Sequence, residues 1–354
     1  MVNYLFPSVG GELKLERTCP HCHRLGGRLH SAVRERCICD IRIATIAQQR
    51  LHCAYCGTSW TVHAEGVKDG CQHSDRLRAV GVCLYMLGLS YRAVADFCRS
   101  LEWQTSKNAV ERDVRDAGQN AKALHEEAPA MRVRVLGVDG TGAKMAGIDA
   151  GMLFFVDVED QRLVCVEPVQ ETDAKEVRRH IQRVLAQTGA QELRTDELSV
   201  YNRTAATEHA ICLAHWLKSK CKRAWDLAKQ FEAEAMTYEA QTMRDLIALL
   251  HRYRSSPKLP EEIERLVRRF LTCREGVLWK ANQLLQHIER TWSSVRRDPA
   301  DPTNNTTERL IGLTYKIRAK TMRGFKSPDK ALAHPYLAAF LRGSAGVCHL
   351  RQVI

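Results

Sequence analysis

Three carboxylates and four cysteines are the residues of this chain whose type and spacing point to chemistry. Asp139 stands in VLGVDGT, Asp196 in LRTDELSVYN and Glu308 in NNTTERLIGLTYKIRAKTMRGF. Cutting a phosphodiester with water or a 3′-hydroxyl needs the attacking and leaving oxygens stabilised together, which two Mg²⁺ about 3.5–4 Å apart can do. Such hard cations take carboxylate oxygens, so the acids would have to converge from distant parts of the chain. Each acid also has a plain structural alternative. Asp139 in DGTG could form a turn, Asp196 could cap a following helix, and Glu308 lies at capping-box spacing from Asn305.

The cysteines form two pairs, Cys19 and Cys22 in CPHC, Cys53 and Cys56 in CAYC. Each pair sets two thiols across a two-residue turn, which suits a tetrahedral Zn²⁺ site. One structural Zn²⁺ held by Cys19, Cys22, Cys53 and Cys56 is therefore expected. The interval between the pairs is longer than is usual in a zinc ribbon and contains Cys37 and Cys39, so a second metal there is the alternative.

A formal net charge of +12, from 53 Lys and Arg against 41 Asp and Glu, describes a basic folded protein rather than a basic tail, because the acids are interspersed. A polyanion such as nucleic acid is the natural partner. No apolar run reaches the roughly 18 residues of a membrane span, and MVNYLFPSVGGELKLER lacks the segments of a signal peptide. With 14 cysteines, a chain read as cytoplasmic keeps its thiols reduced, and clustered thiols then suggest metal.

Three short helices are expected between Ser74 and Gly118. Ser74 or Asp75, Ser90 and Ser106 stand at cap positions, and Gly88 and Gly118 stand at stops. In the third helix Ala109, Val110, Val114 and Ala117 repeat at helical spacing, while Lys107, Asn108, Arg112 and Arg115 are polar. A short turn before it suits a helix-turn-helix whose last helix enters a major groove. Residues 119–131 are expected to be a linker.

Beyond the linker, MRVRVLGVDG, GMLFFVDV and RLVCVEPV alternate as strands, with Asp139 ending the first. TDAKEVRRHIQRVLAQTG is an amphipathic helix, ELRTD a fourth strand ended by Asp196, and HAICLAH a fifth. Segments 216–254, 261–272 and 277–295 are helical by periodicity, and DPADPTNN is a loop before the helix that carries Glu308. This ordering is that of an α/β, RNase H-like catalytic core with an all-helical insertion.

The same stretches resemble the DDE transposases of bacterial insertion sequences. Most specific is NNTTERLIGLTYKIRAKTMRGF, with asparagines before the acid and a basic helix ending in Arg-Gly-Phe. CLAH, Cys212 to His215, resembles the C-x-x-H motif of a branch that includes Mutator-like enzymes, in which a helical insertion follows. The resemblance implies a zinc-binding head (1–70), a helix-turn-helix domain with linker (71–130) and a catalytic domain (131–354) whose insertion covers about 216–300. It implies that Asp139, Asp196 and Glu308 hold two Mg²⁺, for which Mn²⁺ can substitute, and that the Zn²⁺ is structural. The partners it implies are double-stranded DNA, as element ends and target, and further copies of the chain, in a nucleoid-associated setting without a membrane. Contacts to DNA are expected from Lys107, Asn108, Arg112 and Arg115, and from Arg309, Lys316, Arg318, Lys320 and Arg323. The position of Lys316 departs from the spacing seen in some relatives, so Tyr315, Lys316 and Lys320 receive no individual roles. Trp279 and Trp292 are expected in the core of the insertion, with base stacking as the alternative drawn from relatives.

Overall fold

The computed structural model describes residues 3–129, 131–145, 147–201, 208–252, 254, 258–267, 276–295, 304–322, 325, 327–343 and 347–354. It packs as two compact units, one of residues 1–128, 145–147 and 314–354, the other of residues 129–144 and 148–313. Residues 314–354, within the range 131–354 expected for the catalytic domain, group with the N-terminal residues. Among the described residues no helix is long and apolar enough to cross a membrane.

The first unit begins with β1 (Asn3–Leu5), β2 (Gly27–Leu29), β3 (Arg34–Cys37), β4 (Thr45–Cys53) and β5 (Ser59–His63). The long β4 pairs antiparallel with β2, β3 and β5. Three helices follow: α1 (Asp75–Met86), α2 (Tyr91–Ser100) and α3 (Lys107–Glu127). Their caps are the expected ones, with the hydroxyls of Ser74, Ser90 and Ser106 accepting from the amides of Leu77, Ala93 and Ala109 at 3.0, 3.1 and 3.2 Å. Each bond satisfies one of the orphan donors of a helix start.

Helix α3 does not stop at Gly118 but runs through the expected linker to Glu127. Gly118 is buried, and a Cβ there would lie 3.0 Å from the Cβ of Ala333. This glycine serves close helix packing instead of a helix end.

The second unit opens with β6 (Val135–Met145), β7 (Ile148–Asp157) and β8 (Arg162–Glu167), then α4 (Ala174–Thr188), β9 (Glu192–Thr195) and β10 (Glu208–Ile211). The strand order is β10-β9-β6-β7-β8. β9 runs parallel to both β6 and β10, while β7 and β8 are antiparallel. Asp139 lies inside β6, which corrects its placement at a strand end and removes the turn alternative. Val135, Leu136 and Val138 are all buried, and the strand continues through the DGTG sequence to Met145.

The helical insertion comprises α5 (Leu213–Ala233), α6 (Thr237–Arg252), α7 (Leu259–Val267) and α8 (Gly276–Trp292). A break with Ala235 in the left-handed region, φ 60°, divides the helix expected over 216–254. Trp216, Phe231, Met243, Leu246, Leu284, Ile288 and Trp292 form its core. Trp292 is thus the expected core residue, whereas Trp279 is 45% exposed.

Helix α9 (Asn305–Ile311) ends the second unit. A π-helical stretch, Gly312–Lys316, leads to α10 (Ile317–Met322), α11 (Pro328–Gly343) and β11 (Val347–His349). Within the first unit β11 pairs parallel with β1, Lys330 pairs with Glu111, and Asn120 donates to the carbonyl of Val353 at 2.9 Å. These contacts are why the C-terminal residues belong to the N-terminal unit.

Candidate metal centres and their surroundings

The two C-x-x-C turns bring four thiols together in the first unit. Cys19, Cys22, Cys53 and Cys56 have all their sulfurs within 4.8 Å of one another. Cys19 Sγ lies 3.6 Å from Cys56 Sγ, and Cys22 Sγ lies 3.6 Å from Cys53 Sγ. Four sulfurs at about 2.3 Å from a tetrahedral ion stand about 3.8 Å apart, so this donor set fits a metal. Both turns close alike: the residue after each pair, His23 (φ 57°) and Gly57 (φ 74°), is left-handed, and its amide bonds the carbonyl of the pair's first cysteine. The Tyr55 amide donates to Cys53 Sγ at 3.4 Å, the kind of outer bond that orients a metal ligand. Among the described residues Cys37 and Cys39 join no such cluster, so nothing assembles the alternative second site.

In the second unit, strand register assembles the carboxylates. Gly137 on β6 is level with Arg194 on β9, and Asp139 and Asp196 each lie two residues further along. Side chains two apart share a face, which aims both acids the same way. Glu171, in the loop before α4, completes a group with Asp139 and Asp196 whose carboxylate oxygens lie within 4.8 Å of one another. Sequence reasoning missed Glu171, because it sits in a polar loop with no periodicity to mark it.

Two glycines make room around Asp139. A Cβ on Gly140 would lie 2.5 Å from the Glu171 carboxyl carbon, and one on Gly137 would lie 2.2 Å from the Thr307 hydroxyl of α9. Burial pushes the Asp196 carboxyl up from its ordinary range, and the Glu171 charge adds to the rise against the Leu198 amide. That amide donates to Asp196 Oδ1 at 3.0 Å, so Asp196 also performs a local capping role. Burial and Glu171 also raise the phenol of Tyr201, which donates to Glu171. Three crowded carboxylates, partly buried, form a donor set of hard oxygens that a divalent cation would satisfy.

Glu308 stands outside this triad. Its Oε1 lies 3.4 Å from His215 Nε2, and the neighbouring Cys212 thiol, against the effect of burial and aided by Glu308 and Asp196, raises His215 to about 9. Cys212, fully buried, accepts the Asn304 amide at 3.1 Å. The C-x-x-H pair therefore grips α9 at two points one turn apart, its start through Asn304 and its acid through Glu308. Asn304, not Asn305, is the cap residue, which shifts Glu308 to the fourth helical position and out of capping-box register.

Glu197, next to Asp196, bonds two insertion helices. It accepts from Lys220 of α5, which is 1% exposed, and from His287 Nε2 of α8 at 2.8 Å. This buried ion pair ties the acid-bearing loop to the insertion.

The expected DNA contacts divide. Lys107, Asn108, Arg112 and Arg115 are exposed along one face of α3, and Arg115 pairs with Asp116 at 3.0 Å. Arg309 and Lys320 are exposed and Lys316 is half-buried. Arg318 is a correction: it is 6% exposed, its guanidinium lies 3.9 Å from the Tyr85 ring centroid, and it donates to the Leu89 carbonyl at 3.0 Å. An arginine stacked and bonded in this way is a packing residue of the first unit. Arg323 lies outside the described residues.

No protein-family model matches the chain, and a search of curated proteins finds no match.

Proposed function

We propose that this chain cuts and joins DNA by metal-dependent phosphodiester chemistry, as a DDE-type transposase with an RNase H-like core. The convergence of Asp139, Glu171 and Asp196 within 4.8 Å carries the reading. Support comes from the sheet: a central first strand with the second and third, antiparallel to each other, on one side and a parallel fourth and fifth on the other is the order expected of an RNase H-like sheet. The capped α1–α3 helices and the thiol cluster are the remaining parts of a DNA-binding head.

In this reading Asp139, Asp196 and Glu171 hold Mg²⁺, or Mn²⁺ in its stead, while Cys19, Cys22, Cys53 and Cys56 hold a structural Zn²⁺. Held by these carboxylates, such divalent ions would supply activation of water and stabilisation of the attacking and leaving oxygens. Asp139 and Asp196 fix the donor geometry through strand register, and Gly140 and Gly137 let Glu171 and Thr307 come close to β6. Cys212 and His215 hold Glu308 next to the group, and the exposed cations of α3 hold DNA phosphates.

A second reading, an RNase H-like nuclease without strand transfer, is favoured by one observation: Glu171 completes a three-acid group without Glu308. The test takes the DNA flanking the source gene, purified protein and Mg²⁺, and scores cutting and joining. Asp139→Asn and Asp196→Asn should abolish both while sparing DNA binding, and an active single variant refutes the assignment. Cut but never joined products select the nuclease reading. DNA binding without any cutting leaves a regulatory DNA-binding protein.

A further inference from the structure

Helix α5 carries a surface that the proposed chemistry does not use. Lys218, Lys222, Trp225 and Lys229 recur at steps of four, three and four residues, which lines them along one narrow stripe of a helix. All four are exposed, Trp225 by 46%, while Trp216, Leu227 and Phe231 turn into the core of the insertion. The stripe begins one turn beyond His215 and spans about 16 Å at 1.5 Å per residue.

Arg244 of α6 adds to it. Its guanidinium carbon lies 5.8 Å from the Trp225 ring centroid, and Lys229 Nζ lies 5.5 Å from the same point. Arg244 also pairs with Glu232, and Asp226 sits about 100° round the helix from Trp225, off the line of lysines. Helix propensity does not ask for tryptophan at an exposed position, and a single exposed apolar residue would need no explanation. An indole set among three lysines and an arginine is different, because it combines a stacking face with phosphate partners. Nucleic acid offers both in alternation, and base stacking on aromatic rings tolerates any sequence.

We infer that this stripe is a track for single-stranded DNA, with phosphates on Lys218, Lys222 and Lys229 and a base stacked on Trp225. The inference rests on the reading of the acid group as a DNA-cutting centre, whose separated strand it would guide. A strand kept at the duplex rise of about 3.4 Å per nucleotide would pass roughly five steps along the stripe, and a more extended one fewer.

The experiment uses the full chain without added divalent ion and a fluorescent thymidine 20-mer carrying 5-bromodeoxyuridine. Anisotropy is measured across a KCl series, and photocrosslinks are mapped by mass spectrometry. Lys218→Glu/Lys222→Glu/Lys229→Glu should weaken binding at least about tenfold and lower the salt slope by about 2. Trp225→Ala should weaken it at least about fivefold and lose the crosslink, while Trp225→Phe stays close to wild type. Lys175→Glu, an exposed lysine of α4, controls for bulk charge, and circular dichroism controls for folding. An unchanged affinity and salt slope in the triple variant, a crosslink outside α5, or losses confined to duplex DNA would overturn the inference. Cutting by wild type in the Mg²⁺ assay above, with normal strand binding by the stripe variants, sinks the track and keeps the reaction. Stripe-dependent binding without cutting does the reverse.

Discussion

The thiol cluster and the carboxylate cluster are both candidate metal centres, yet they are built in opposite ways. Each half of the thiol site is a four-residue turn that fixes two sulfurs locally, closed by a left-handed residue at His23 or Gly57. Only one long-range event, the pairing of β2 with β4, is needed to bring the halves together. The acid site has no local half. Asp139, Glu171 and Asp196 come from a strand interior, a loop and a strand end, and only the β6–β9 register and the space left by Gly140 make them neighbours. A local site is tied to the fold of its own segment, and a topological one depends on the fold of the whole unit.

The largest effect follows from the first kind of site. Cys53→Ser should strip the metal and unfold the head, a loss of several kcal/mol on the order seen when metal binding drives the folding of small domains. Elemental analysis should give less than half an equivalent of zinc, and chelation of the wild type should reproduce the spectral change. The insertion core around Trp216 and Trp292 should melt as before. A variant that keeps both its metal and its fold breaks the comparison.

Next in size is the acid site, where under the proposed function the main effect falls on activity and the effect on folding is small. Asp139→Asn and Asp196→Asn should each lower Mg²⁺-dependent cutting by about a thousandfold or more. Glu171→Gln and Glu308→Gln separate the two readings. If Glu171 is a ligand, its variant requires a Mg²⁺ concentration raised about tenfold for half-maximal cutting, on the scale of lost metal-shell contacts. If Glu308 enters the group only when DNA is bound, its variant instead abolishes joining.

The contrast also explains what the sequence made legible. Helices α1 to α3 were readable because Ser74, Ser90 and Ser106 act on amides three residues away, and the two thiol pairs because their cysteines stand at the same short spacing. Asp196 was readable as the end of a β-run, and Cys212 and His215 as a motif before a helix. Glu171 was not, since its role comes from Gly140 and Tyr201, which the sequence does not mark as its neighbours. Arg318 was misread for the same reason: by spacing it belongs to a row of cations, and only the Tyr85 ring and the Leu89 carbonyl reveal it as core. Gly118 looked like a helix stop until Ala333, far along the chain, supplied the reason for a missing side chain.

A smaller effect is expected at the clamp on α9. His215→Ala removes the partner of Glu308, and Cys212→Ala removes the acceptor of the Asn304 amide, so cutting and joining should each fall about 10- to 100-fold, as when outer-shell partners of metal sites are lost. Cys212→Ser, which can still accept a hydrogen bond, should recover much of the loss. Equal losses for Ala and Ser would point to packing alone, and wild-type rates would remove the clamp from the site.

The smallest effects set two aspartates against each other. Asp40 has no solvent-exposed side-chain surface and accepts from Arg76 Nη2 at 2.5 Å, from the Ser74 hydroxyl, and from the amides of Arg42 and Ile43 at 2.8 and 3.1 Å. Burial pushes its carboxyl up, but these donors together hold it down to about 2. Asp196 is shifted upward by burial and by the like charges of Glu171 and Glu197, which the Leu198 amide and His215 do not offset. A depressed carboxyl stabilises the fold above its unfolded pKa, near 4, and that contribution disappears as pH falls through the folded value. A raised carboxyl works against the fold once pH climbs past its unfolded value. At neutral pH and without divalent ion, Asp40→Asn should therefore lower stability by about 2 kcal/mol, and Asp196→Asn should raise it by about 1 kcal/mol. Denaturant melts of both variants with and without Mg²⁺ decide the matter: the gain in Asp196→Asn should vanish when Mg²⁺ stabilises the wild type, while the loss in Asp40→Asn should be indifferent to it. Asp40 is a carboxylate satisfied by protein donors, and Asp196 is one whose burial a single amide donor does not offset.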